Sequence, residues 1–271
     1  MNVHSPDNKY HGNLPEAHRT FIEKSVPRLK KDSRLTGVAI GGSFLLDEID
    51  EFSDLDLVVY VDPQHYASVL AKRVEIVQNM GSLLESFTGE HVGEPRLLIC
   101  LFGPPLLHID LKFVSMDDIQ DKVENPTVLW EREDLISSQV NLRPGKFPTP
   151  DLTWIEKRFW TWVHYSATKI GRGELFEAVE AIGFLRVHVL GPVILQKKGA
   201  RPQGLRKIER YASQGELEKM KRTLASYDAR DCLRALRESV GLYRTLRENP
   251  GNQTLEKLVN EYLNQIERQL S

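Results

Sequence analysis

The spacing of apolar positions changes character near residue 150. Before that point, short apolar runs are cut by glycine, proline and aspartate; after it, apolar residues recur at three- and four-residue intervals almost to the end. In the first part, Ala17, Phe21, Ile22, Val26 and Leu29 predict a helix from Pro15 to about Lys31, kinked or ended by Pro27. Leu35 to Ile40 predicts a strand that runs into Gly41-Gly42. Asp54 to Val61 predicts another strand, stopped by Asp62-Pro63. Val69, Leu70, Val74, Val77, Leu83 and Leu84 sit at helical spacing and predict a helix over 64–86. Arg96 to Phe102 and Leu106 to Val114, joined by Gly103-Pro104-Pro105, predict a hairpin.

Residues 116–150 mix charges with prolines at 126, 144, 148 and 150, and Arg143 to Pro150 predicts a linker. Helices are predicted over 153–171, 174–197, 203–212, 214–224, 228–247 and 253–270. The expected fold class is α+β. Residues 1–145 should form a small mixed sheet with flanking helices, and residues 146–271 a helical bundle. A ligand cleft is expected where two such domains meet. Residues 1–13 are polar and expected to be loosely ordered.

The first predicted strand leads into Gly41-Gly42-Ser43. Ten residues later Asp54 and Asp56 alternate with Leu55 and Leu57 at the start of the next. A glycine turn lets backbone N–H groups approach phosphate oxygens. Two carboxylates on one face of a strand hold a divalent cation against the same phosphates. The competing reading, a polar edge or capping aspartates, leaves the glycine turn ahead of them unexplained. Asp110 alternates with Ile109 and Leu111 in a later strand, where an ionised group is costly unless it pairs or binds metal. If that strand lies beside the one bearing Asp54 and Asp56, three carboxylates converge, as a magnesium-dependent phosphoryl-type transfer requires. Otherwise Asp110 pairs with Lys112 or Arg96. His108 is expected at the rim of the site.

Apolar-Gly-Gly-Ser, a gap, Ser53-Asp54-Leu55-Asp56-Leu57 and a later Ile109-Asp110-Leu111 resemble the nucleotidyltransferase superfamily typified by DNA polymerase β. Trp154 through Ala178 and Gly199 through Tyr211 are similar in style to the C-terminal domain of aminoglycoside and lincosamide nucleotidyltransferases. The resemblance implies transfer of a nucleoside monophosphate, AMP from ATP, to a hydroxyl, with release of pyrophosphate. It implies that Gly42 and Ser43 hold the triphosphate and that Asp54 and Asp56 bind Mg2+. Asp110 becomes the third carboxylate, as metal ligand, general base or both. The small residue, Arg and Gly that follow Gly-Ser in many antibiotic-modifying members are replaced here by Phe44-Leu45-Leu46-Asp47. Lys169 and Arg172, three apart on a helix, are candidate replacements for the missing phosphate contact, against a simpler role in salt links to Glu174 or Glu177.

Charge and composition narrow the acceptor. The 271 residues carry 36 basic and 38 acidic side chains, a net charge of −2, so there is no basic footprint for a long nucleic acid. Apolar residues make up 41%, enough for a proper core. The helical half offers area for a homodimer surface. The two cysteines, Cys100 and Cys232, lie in apolar contexts and are expected as reduced, buried thiols. No signal peptide is evident and no apolar stretch is expected to approach 18 residues, which points to a cytoplasmic protein with no membrane segment. A small hydroxylated acceptor, an aminoglycoside-like antibiotic first among them, is the leading expectation. Glu85, Glu90, His91 and Glu94 are candidate partners for a cationic acceptor, against a plain solvated loop; Glu177 and Glu180 are candidates for an acceptor base, and Phe159, Trp160, Trp162 and Tyr165 form an aromatic band for stacking or core packing. Two rivals stay open: the same chemistry on a protein side chain or an RNA end, and an inactive nucleotide-binding module.

Overall fold

The structure, a computed structural model, describes residues 14–271; the expectation for residues 1–13 falls outside them. The chain divides into two compact units, Met1–Lys146 and Phe147–Ser271.

The first unit is built on a six-stranded sheet in the order β3-β4-β5-β2-β1-β6. Its strands are β1 (Leu35–Ile40), β2 (Leu55–Val61), β3 (Leu83–Gly89), β4 (Glu94–Phe102), β5 (Leu107–Ser115) and β6 (Thr127–Glu131). All neighbours are antiparallel except β2 and β5, which run parallel. Helices α1 (Glu16–Leu29), α2 (Tyr66–Ala71) and α3 (Arg73–Gln78) supply Phe21, Ile22, Val69, Ile76 and Val77 to a core shared with Leu55, Leu57, Leu98, Cys100, Ile109 and Leu111. A smaller cluster of Ala39, Tyr60, Val114, Ile119, Ile136 and Val140 packs elsewhere on the unit, the last residue from α4 (Ser137–Val140). Because strand side chains alternate, Asp56, Val58 and Tyr60 share one face and Leu55, Leu57 and Val59 the other. The acids therefore stand on the side away from the main core.

Three sequence expectations are corrected here. Pro27 lies inside α1 rather than ending it, and the helix continues to Leu29. The helix expected over 64–86 is two short helices, and residues 83–86 belong to β3. Edge pairing decides this: Ser86 is the register partner of Cys100 and Phe87 of Ile99, and those ladder bonds outweigh a helical spacing that Gly81-Ser82 already interrupts. Strand β6 was hidden among the charges and prolines of residues 116–150.

The second unit is helical: α5 (Leu152–Gly171), α6 (Leu175–Leu185), α7 (Gly191–Lys197), α8 (Ile208–Tyr211), α9 (Gln214–Arg222), α10 (Ala229–Leu246) and α11 (Gln253–Leu270). Side-chain caps from Asp151, Ser213, Asp228 and Asn252 satisfy first-turn N–H groups of α5, α9, α10 and α11, and Ser213 with Glu216 forms a full capping box. The helix expected over 203–212 shrinks to the four residues of α8. A π-helical turn, Arg186–Leu190, joins α6 to α7. The resulting run Leu175–Lys197 is, contrary to the sequence reading, long and apolar enough to cross a membrane by length and composition. Over half of its most apolar window is buried inside the unit, where Ile182, Leu185, Val189, Leu190 and Val193 join the core. Its hydropathy is that of a central core helix.

Candidate active site

Asp56 and Asp110 are register partners across the parallel β2–β5 pair, so both side chains leave the same sheet face. Asp54 sits just before β2 with the same parity. Carboxylate oxygens of Asp54, Asp56 and Asp110 lie within 4.8 Å of one another, and all three residues are half-buried. The convergence expected from alternation is therefore present. Three hard oxygen donors this close suit a divalent cation such as Mg2+, which relieves their mutual repulsion.

The approach to β2 is fixed from α1: His18, buried in the core, donates from Nε2 to the carbonyl of Ser53 at 2.7 Å. This contact, 35 residues apart in sequence, had no local signal. On β5, His108 Nε2 lies 3.0 Å from Asp110 Oδ1. Asp110 thus pairs with its rim histidine. The alternatives raised from sequence, Lys112 and Arg96, both bond Glu94 instead, at 2.7 Å each. Arg96 first, and then Lys112, hold the Glu94 carboxyl well down, at about 2.

The Gly-Gly-Ser turn folds directly over Asp56. Gly41 N–H donates to the Asp56 carbonyl at 2.9 Å. Gly42 has φ +61°, and a Cβ there would stand 1.8 Å from Asp56 Oδ2. Both the backbone conformation and the space thus demand glycine. Ser43 Oγ is buried and has no hydrogen-bond partner among the described residues. A buried hydroxyl in that condition is a cost that an incoming acceptor oxygen would remove. The Gly42 N–H donates to Glu124 Oε1 at 2.6 Å. Glu124 comes from the loop before β6, 82 residues away, and the sequence offered no sign of it.

From Asp110 the same sheet face continues outward to Ile99 on β4 and Phe87 on β3, which are register partners in turn. Phe87 is exposed, with the His91 ring beside it at 5.7 Å. Cys100 lies on the opposite face, and burial pushes its thiol up to about 12; Cys232 is buried too. Both match the expectation of inert thiols.

In the second unit, Lys169 Nζ bonds Glu174 Oε2 at 2.6 Å and Arg172 lies 3.7 Å from the same carboxylate. Both cations are thus engaged in the salt links that the sequence offered as their simpler role. The aromatic band splits: Phe159 and Trp160 are core residues, while Trp162 and Tyr165 line a cavity of about 370 Å³ with Glu177, Glu180 and Phe184. Tyr165 donates its hydroxyl to Glu177 Oε1 at 2.6 Å.

Comparison with known proteins adds a family. Residues 22–102 match the family model described as a nucleotidyltransferase domain. No curated protein matches the sequence. Among solved structures, an aminoglycoside 6-adenyltransferase from Bacillus subtilis is similar at 17% identity, covering 90% of this chain and 98% of that one, with a TM-score of 0.40. A nucleotidyltransferase-like protein from Exiguobacterium sibiricum is similar at 13% identity over 84% and 74% of the two chains, TM-score 0.39. A spectinomycin adenyltransferase from Enterococcus faecialis is similar at 11% identity over 93% and 98%, TM-score 0.27. The family match spans β1, the glycine turn and the Asp54–Asp56 pair, and Asp110 lies beyond it on the strand paired to β2. Residues 22–102 of this chain thus carry a nucleotidyltransferase domain.

Proposed function

We propose that this enzyme transfers AMP from ATP to a hydroxyl of a small cationic molecule, an aminoglycoside-like antibiotic being the leading acceptor, with Mg2+ as its cation. The observation that carries the reading is the meeting of the Asp54, Asp56 and Asp110 oxygens within 4.8 Å beside the Gly42 turn. Asp54, Asp56 and Asp110 would hold the cation. Bound there, a divalent cation supplies charge neutralisation for the phosphates. Ser43 would offer its buried hydroxyl to phosphate oxygens, and Gly42 its backbone N–H once Glu124 releases it.

The acceptor oxygen attacks the α-phosphorus, its proton passes to the Asp110 carboxylate, and the bond from that phosphorus to pyrophosphate breaks. His108, 3.0 Å from Asp110, orients the carboxylate for that role. The rest is positioning, which accounts for a site with so few chemical groups. Lys169 and Arg172, proposed from the sequence as nucleotide contacts, would have to exchange Glu174 for a phosphate. Within the second unit, the cavity of Trp162, Tyr165, Glu177 and Glu180 offers carboxylates and ring faces of the kind that attract amines.

The test is incubation with ATP labelled on its α-phosphate, Mg2+ and a panel of hydroxylated antibiotics. Label on one drug supports the proposal. Label on a protein moves the acceptor to a side chain. Absence of magnesium-dependent ATP binding overturns the reading altogether.

A further inference from the structure

The glycine turn is not open to an anion without a rearrangement, because a carboxylate already sits on it. Glu124 Oε1 takes the Gly42 N–H at 2.6 Å, shorter than an ordinary neutral amide bond and typical of a charge-assisted one. A Cβ on Gly41 would stand 2.5 Å from the same oxygen. Asp56 Oδ2 occupies the corresponding place beside Gly42. The turn is thus flanked by two carboxylates. One belongs to the acidic trio. The other comes from an irregular loop, residues 121–126, with no part in the trio.

We propose that Glu124 is a phosphate surrogate: its carboxylate holds the backbone donor that a triphosphate oxygen needs, and the nucleotide binds by displacing it. The inference rests on the nucleotidyl-transfer reading and deepens it, by naming the residue that sets nucleotide affinity. Two anions compete for one N–H, and their like charges keep them from sharing the turn. Selectivity follows from the same competition. A ligand bearing a single phosphate gains one oxygen contact and loses the Glu124 bond. A triphosphate with its cation also gains the trio and Ser43 Oγ, and so can drive the exchange.

The loop that bears Glu124 is itself held by the end of the first unit. Gly145 N–H donates to Asn125 Oδ1 at 2.9 Å, and Lys146 N–H to the Lys122 carbonyl at 3.2 Å. A Cβ on Gly145 would stand 2.3 Å from the Glu124 backbone nitrogen. These contacts hold the loop's backbone, so the Glu124 carboxylate leaves the turn by rotation of its own side chain.

The test measures binding of a non-hydrolysable ATP analogue and of AMP, with Mg2+, to the full-length wild-type protein, Glu124→Gln and Glu124→Ala. Removing the competing charge should tighten the ATP analogue about tenfold in both variants, with the gain shrinking as salt rises. Glu124 lies in a loop outside the sheet, and a melting transition measured for each variant checks that it is folded. Wild-type binding with unchanged or weaker binding by the variants would overturn the inference and make Glu124 a structural brace of the turn. If the wild-type protein binds no nucleotide with Mg2+, the transfer reading fails first and this inference with it.

Discussion

Asp56 and Asp110 are 54 positions apart in the sequence and directly opposite one another in the β2–β5 register. That single relationship turns a strand with an awkward charge into one wall of a cation site. Asp56→Asn and Asp110→Asn should each lower kcat about a thousandfold or more while leaving the fold intact. Thermal melting gives an independent check. Mg2+ should raise the melting temperature of the wild-type protein and not that of Asp56→Asn. In EDTA, Asp56→Asn should melt no lower than wild type, since a crowded like charge has been removed.

Gly42 and Gly93 separate backbone strain from steric exclusion. Both have positive φ, +61° and +76°, yet nothing lies within 4 Å of the Cβ position of Gly93. Gly93→Ala should cost about 1 kcal/mol and keep full activity. Gly42→Ala adds a collision with Asp56 Oδ2 and should destabilise the protein further and abolish transfer. Denaturant titrations and a transfer assay on the pair would read both effects.

Glu94 should make the first unit acid-sensitive. Its folded carboxyl titrates at about 2 because Arg96 and Lys112 hold the charged form, against an ordinary value near 4.5. A depressed value contributes stability that is complete above about pH 4.5 and is lost as pH falls toward 2. Discounted for its partial exposure, the contribution is about 1–2 kcal/mol at neutral pH. Glu94→Gln should therefore be less stable than wild type at pH 7, with the two melting curves converging near pH 2.

Glu177 and Glu180 should act on the acceptor and not on the nucleotide. Glu180→Gln is expected to raise KM for a cationic acceptor about tenfold, roughly one exposed charge-assisted contact, while KM for ATP stays within twofold. Glu177→Gln should do the same with a smaller change, because Tyr165 already occupies one of its oxygens. A panel of acceptors differing only in amine count would scale the effect with charge. Equal effects on both substrates would remove the cavity from acceptor binding.

Strand alternation was enough to place Leu55 and Leu57 in the core and Asp54 and Asp56 together on the far face, because a period of two fixes sidedness without any partner. The apolar periodicity after residue 150 likewise located the long helices α5, α10 and α11, whose capping residues are local. Edge strand β3 escaped because its Leu83-Leu84 start has helical spacing to the residues before it, and only the ladder to β4 fixes its state.

What the sequence by itself determined is therefore the chemistry of single elements: a glycine turn, an alternating acid pair, a third acid on an apolar strand, and a helical second half. Only the tertiary structure decided which distant groups complete them. It set Asp110 opposite Asp56, brought Glu124 onto the Gly42 N–H, gave Arg96 and Lys112 to Glu94, and put His18 behind Ser53. The physical reason is range. Propensity and periodicity act within a few residues, whereas a hydrogen bond or ion pair is indifferent to sequence separation and depends on where the packed sheet carries its loops.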